Sequence, residues 1–232
     1  MSTLLNIVSW TAIVTSVLQV LTGSLVCCKY IKKQSTGESS IFPFVSGFAA
    51  CSLWLLYGIL TQVQTVIIVN GIGSTLFLSY SITFLIYTPD RKKCLKYVLL
   101  TVLVIFSAVL YVRFDHDTTR STHFIGLLCC LVFVVFCAAP LSMLFHVIEN
   151  KSTEILPLPL ILGSATVSLV WFVYGLMIKD TFIQIPNCLG FLLSLTQLSL
   201  FLIYPNRHEP LLPASDQQIV FVVSDNVPYK QF

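Results

Sequence analysis

Seven stretches of this chain are apolar over the length of a bilayer, with short polar segments between them. They cover roughly residues 6–28, 42–61, 65–88, 96–113, 124–147, 158–178 and 181–204. A helix needs about 20 apolar residues to cross the hydrocarbon core. Inside lipid, backbone N–H and C=O groups find no water, so each segment must pair its own. The pattern therefore predicts an all-α membrane protein with seven transmembrane helices. Pro43 opens the second span, where a missing N–H costs little, and Pro157 and Pro159 open the sixth. Pro140 falls inside the fifth and predicts a local break. The first stretch lacks a basic leader and a small-residue cleavage site, so it reads as a span rather than a signal peptide. Residues 113–122 are expected to form the longest loop on their side.

Within this pattern one skeleton occurs twice. Trp54, Tyr57, Gly58, Asn70 and Gly73 return as Trp171, Tyr174, Gly175, Asn187 and Gly190, each pair 117 positions apart. Between residues 35–87 and 152–204, fourteen of 53 positions are identical without a gap, including Ser-Thr at the start and Phe-Leu-Ile-Tyr at the end. This marks an internal repeat. A three-helix unit enters and leaves on opposite faces, so two units joined directly would be inverted. One inserted helix restores the orientation and gives two parallel three-helix repeats plus a linker helix, 3+1+3. The boundaries expected are 1–90 for the first repeat, 91–122 for the linker helix and its loop, 123–205 for the second repeat, and 206–232 for a disordered cytoplasmic tail. Paired Trp and Asn side chains in membrane-length sequence point to a binding site where the halves join.

Composition agrees: 56% of residues are hydrophobic and 10% charged. The distribution of charge adds the orientation. Ten Lys and Arg fall on one face (Lys29, Lys32, Lys33, Arg91, Lys92, Lys93, Lys96, Lys151, Arg207 and Lys230) and three on the other. The positive-inside rule then puts the N-terminus outside and the C-terminus in the cytoplasm. All ten carboxylates fall in loops, termini or span edges, so no ionisable relay lies at mid-membrane. The eight cysteines show no metal or redox spacing, and the adjacent pairs Cys27-Cys28 and Cys129-Cys130 read as buried thiols. No span holds an acidic pair, a metalloprotease motif or a nucleophile–base set, so no enzyme is expected. No cofactor, metal or nucleic-acid partner is expected either.

The Trp-x-x-Tyr-Gly elements, Asn70-Gly71, Pro186-Asn187, Gln197 and the 3+1+3 arrangement resemble the SWEET (MtN3/saliva) sugar transporters, relatives of the PQ-loop proteins. The resemblance covers residues 1 to about 205. It implies a sugar pocket at Trp54, Asn70, Trp171 and Asn187, and a gate at Tyr57, Tyr174 and Asp180. It also implies a hinge set at Pro43, Pro140 and Pro157, with Gly23 aligned where a fourth proline would stand. The chemistry suits the assignment. Amides donate and accept around a sugar's edge, and indoles cover its C–H faces. Gln197 reads instead as a helix-packing polar group. The function implied is bidirectional, facilitative sugar transport by alternating access, of glucose or a related mono- or disaccharide. The protein would be a uniporter in the plasma membrane, or in a Golgi or endosomal one, and a homo-oligomer. A PQ-loop carrier of another small solute is the alternative. A seven-span receptor fits less well, because it predicts no repeat. The last four residues, Tyr229 to Phe232, have the form of a trafficking signal.

The orientation carries a direct prediction. The single Asn-x-Ser/Thr sequon, at Asn150, faces the cytoplasm and stays unmodified. A glycosidase-sensitive mass shift on the Asn150 peptide would contradict this topology.

Overall fold

A computed structural model describes residues 2–204, and every regular element in it is helical. The helices are α1 (Ser2–Lys33), α2 (Phe42–Thr61), α3 (Gln64–Tyr87), α4 (Arg91–Phe114), α5 (Thr118–Phe136), α6 (Ala138–Asn150), α7 (Leu158–Ile178) and α8 (Thr181–Ile203). With α5 and α6 taken as one broken span, seven are long and apolar enough to cross a membrane. The tail and its Tyr229–Phe232 segment lie outside the described residues. The two ends of the bundle are called here the N-face, which carries the start of α1, and the basic face, which carries Lys29 to Lys33 and Arg91 to Lys96.

The connection from span four to span five differs from expectation. It is only Asp115 to Asp117, because the polar residues after it belong to α5. The Asp117 side chain caps the N–H groups of Thr119 and Arg120. Asp115 accepts from Arg120 Nε at 3.0 Å and from Ser121 Oγ at 3.1 Å. The Arg120 guanidinium holds the Asp115 carboxyl well below the usual carboxylate range. Charged residues that read as loop are thus a cap and a first helical turn.

Each repeat has the same internal order. In the first, α3 lies between α1 and α2; in the second, α8 lies between α5–α6 and α7. Across the halves, α1 packs on α7 and α2 on α5, so the first helix of each unit meets the second helix of the other. The linker α4 rests on the outside of α2. The two tight turns match as well. Gln62 and Lys179, 117 apart, both adopt left-handed backbone with φ of 58° and 59°. Their N–H groups return to the carbonyls of Gly58 and Gly175.

The buried cores show where the halves touch. One core, toward the N-face, draws Leu53, Tyr57 and Val66 from the first half and Ile125, Trp171, Tyr174 and Ile183 from the second. Toward the basic face there are two separate cores. Tyr30, Phe44, Tyr80 and Phe84 form one within the first half, joined by Cys94 of α4. Leu144, Val147, Ile161 and Leu200 form the other within the second half. The halves are joined at one end and packed independently at the other.

The proline set is less symmetric than the repeat. Pro43 and Pro159 are each the second residue of their helices, while Pro157 stands outside α7 as its N-cap. Pro140 sits at the third position of α6, just after the interruption at Cys137. It has no N–H for the Phe136 carbonyl, and this separates α5 from α6. Gly23 occupies the matching place in the first half, yet α1 runs through it unbroken. A Cβ there would come within 2.6 Å of the Tyr80 ring, so the glycine gives that ring its seat.

Pro140→Ala restores the missing donor and should join α5 to α6. Hydrogen exchange across residues 136–144 is expected to slow about tenfold, on the scale of one recovered hydrogen bond. Unchanged exchange would mean that something other than the proline breaks the span.

Candidate functional site

Two i, i+3 pairs place the aromatic walls. Trp54 meets Tyr57 with ring centroids 5.5 Å apart at 83°, and Trp171 meets Tyr174 at 5.5 Å and 87°. One helical turn brings these residues to a common face. On the second helix of each hairpin, Asn70 Nδ2 donates to the Val66 carbonyl at 2.9 Å, and Asn187 Nδ2 to the Ile183 carbonyl at 2.8 Å. That i−4 bond uses one amide hydrogen and fixes the side chain, so the amide carbonyl remains to be paired. Gly73 and Gly190 let the hairpins close. A Cβ at Gly73 would meet Cys51 Sγ at 2.8 Å, and one at Gly190 would meet Ser168 Oγ at 3.0 Å.

These side chains converge. Trp54, Asn70, Trp171 and Asn187 line one cavity of about 220 Å³ between the halves. The remaining walls are Ser16, Val66, Val69, Phe133, Val167, Ile183 and Pro186. Ten of the eleven lining residues form five pairs 117 positions apart: Ser16 with Phe133, Trp54 with Trp171, Val66 with Ile183, Val69 with Pro186, and Asn70 with Asn187. None of the eleven is charged.

The N-face end of this cavity is shut. Tyr57, 2% exposed, donates its hydroxyl to both Asp180 oxygens, at 2.9 and 2.8 Å. Tyr174, 4% exposed, donates to Thr65 Oγ1 at 3.0 Å. Both bonds cross from one half to the other. They differ because the repeat places Val63 opposite Asp180, so Tyr174 finds a threonine instead of a carboxylate. Asp180 Oδ1 also caps α8 through the N–H groups of Phe182 and Ile183. Its neighbour Lys179 is exposed and forms no ion pair among the described residues. The Phe182 ring packs edge-on against Tyr57 and His123.

Two stretches, residues 6–92 and 123–209, match the family model described as a sugar efflux transporter for intercellular exchange. The chain belongs to the SWEET (MtN3/saliva) family. A sugar transporter SWEET1 from Drosophila pseudoobscura pseudoobscura is 47% identical over 204 residues, covering 87% of this chain and 90% of the relative. The bidirectional sugar transporter SWEET9 of Arabidopsis thaliana is 33% identical, with 81% and 74% covered. The solved structure of a eukaryotic SWEET transporter superposes with a TM-score of 0.73 at 27% identity, covering 86% of this chain and 97% of that one.

Not every wall of this SWEET cavity stands out in the sequence. Ser16 accepts the Trp171 indole N–H at 2.8 Å in a buried bond, whereas the Trp54 indole makes no hydrogen bond among the described residues. Ser16 and Phe133 keep the 117 register but differ in type, so identity between repeats does not flag them. Extending the register back into spans one and five would have found both. Pro186 inside α8 cannot donate to the Phe182 carbonyl, and Cys130 Sγ points at that oxygen from 3.7 Å.

Tyr57→Phe removes the hydroxyl and leaves the Asp180 cap intact. A bond to a charged group contributes about 1.5–3 kcal/mol, so the N-face-open population should rise roughly 10- to 100-fold. The measure is modification of Cys130 by an impermeant thiol reagent applied from the N-face. An unchanged rate would show that the Tyr57–Asp180 bond does not hold this end closed.

Proposed function

We propose that this SWEET protein is a facilitative sugar uniporter, carrying glucose or a related mono- or disaccharide down its gradient in either direction. The relatives are named as transporters of sugar, and one as bidirectional. The single observation that carries the reading is the uncharged cavity walled by matched tryptophans and asparagines. Aromatic faces and amides recognise C–H surfaces and hydroxyls without moving a proton. Trp54, Asn70, Trp171 and Asn187 then hold the sugar, and no catalytic step is needed.

The packing supports a reading by alternating access. Tyr57, Tyr174 and Asp180 act as the gate on the N-face, taken as the outer side by the charge asymmetry, with both termini oriented accordingly. The separate cores at the basic face let the halves part toward the cytoplasm. The first repeat (1–90) and the second (123–205) rock about the central cavity, with the linker (91–122) as spacer. The α5–α6 break at Pro140 supplies bending, and Pro43 and Pro157 belong to the hinge set of the family pattern, which lacks its fourth proline here because Gly23 stands in that place within an unbroken α1. The site of action is the plasma membrane or an endomembrane such as the Golgi, as a homo-oligomer.

The test is sugar flux into liposomes holding the purified protein. Sugar should equilibrate and never accumulate under an imposed pH or sodium gradient; accumulation would rule out uniport. On purified variants, Asn70→Ala and Asn187→Ala should each weaken binding about two- to tenfold, the scale of one lost hydrogen bond. Trp171→Ala should cost more, because it removes an aromatic wall and leaves Ser16 unpaired. Normal affinity in all three, with lowered thermal stability, would reduce these residues to helix packing.

A further inference from the structure

A second cavity, also of about 220 Å³, lies between the central one and the basic face. Phe133 and Val167 line both and form the step between them. Its other walls are polar to an extent unusual inside a lipid-embedded bundle. They include Gln19, Ser164, Ser168, Ser194 and Gln197. Gln19 Nε2 bonds Ser164 Oγ across α1 and α7 at 3.1 Å, and Ser194 bonds the Gly190 carbonyl at 2.9 Å. Gln197 and Ser168 bond nothing among the described residues. Gln197 is only 6% exposed, yet its unpaired amide is not among the atoms fully enclosed by protein. The accessible atoms of this nearly buried side chain therefore face the cavity they line. The hydrogen bond to a neighbouring helix that usually accompanies a helix-packing amide is absent among the described residues.

The first repeat shows what the same fold does with this space when it has no use for it. Position by position, Ser164, Ser194 and Gln197 correspond to Gly47, Phe77 and Tyr80. There the Phe77 ring lies 2.6 Å from where a Gly47 Cβ would be, and Tyr80 seals against Gly23 at the same distance. The Tyr80 hydroxyl is paired, with Ser24 at 2.8 Å and the Val20 carbonyl at 3.2 Å. Two rings fill the first half solidly. Their counterparts in the second half are a serine and a glutamine around open space. An empty cavity forfeits packing contacts, and an unpaired buried amide is costly. Both costs are offset only if something polar occupies the site.

Resting on the transporter reading above, we propose that this cavity is a second sugar subsite. A single hydroxylated ring would sit there on its way between the central site and the basic face. Gln197 on α8 and Ser168 on α7 would bond its hydroxyls, with Gln197 ten residues, nearly three helical turns or about 15 Å, along α8 from Asn187. The Phe133 step would separate the two positions, so a sugar leaves the tryptophans before it reaches Gln197.

Cys137 lines this cavity and reports on its occupancy. Full-length protein in liposomes is exposed to a small methanethiosulfonate reagent, and mass spectrometry follows each cysteine, with exposed Cys28 as the reference. The probe is whichever of D-glucose, D-galactose, D-fructose and sucrose the wild type equilibrates fastest. In Asn187→Ala, where central binding is weakened, saturating sugar should still slow Cys137 modification about threefold or more. Adding Gln197→Met or Ser168→Ala should abolish that protection. Ser168→Ala removes one oxygen and keeps the packing, which guards against a fold defect in the other variant. Protection that disappears in Asn187→Ala alone, or survives both added substitutions, overturns the subsite and leaves a water-filled passage, while flux and the proposed function stand. Absence of flux for all four sugars would overturn the transporter reading itself, and the subsite with it.

Discussion

The two halves of this molecule are held at one end by a hydroxyl on a carboxylate. Apolar helices gain nothing by leaving lipid for one another, so shape and polar bonds decide which surfaces meet. Tyr57 and Asp180 supply the charged bond across the join, and Tyr174 and Thr65 supply a neutral one. Around them lies the only core among the described residues that draws on both repeats. Asp180 has a second duty as the cap of α8. The same carboxylate thus fixes the start of a helix that lines the cavity and the contact that closes it. Substitution of the tyrosine therefore removes the cross-half bond alone, whereas substitution of the acid would also loosen α8.

A repeated sequence would build a symmetric molecule, and the departures from symmetry carry most of the specific structure. Where the first half has Val63, the second has Asp180, and the join between the halves has one charged and one neutral bond. Where the first half has Gly23 under Tyr80, the second has Pro140 near Gln197. The first helix is continuous as a result, and the fifth span is broken. Where the first half has Ser16, the second has Phe133, so one indole is tied down and the other makes no hydrogen bond among the described residues. Each difference is a single residue, and only the one at Pro140 changes the path of the chain as well as a bond or a void.

This also explains what could be read from the sequence. The spans were legible because the bilayer imposes a length and forbids unpaired backbone. The convergence of Trp54, Asn70, Trp171 and Asn187 was legible because identical residues at one spacing must occupy equivalent places in equivalent units. The Asp115–Asp117 connection was not, since hydropathy counts caps and first turns as loop. The pairing of Ser16 with Trp171 was not, because one repeat has serine and the other phenylalanine there. Gln197 was only partly legible, for a different reason. A lone intramembrane amide is usually paired with a neighbouring helix, and the sequence does not show that this one, though buried, makes no side-chain hydrogen bond among the described residues.

The balance of these bonds bears on how such a carrier could work. A protein that alternates must keep its two states within a few kcal/mol, because a ligand shifts an equilibrium only by its differential affinity. Opening the N-face here costs one charged hydrogen bond and one neutral one, about 2–4 kcal/mol together, before solvation repays part of it. Lipid and water replace the lost apolar contacts at little net cost. A larger set of ion pairs at the gate would exceed what a weakly bound neutral solute could reverse. On the proposed mechanism, the single carboxylate, answered by a threonine in the other half, would keep the closed end stable and still within reach of substrate binding.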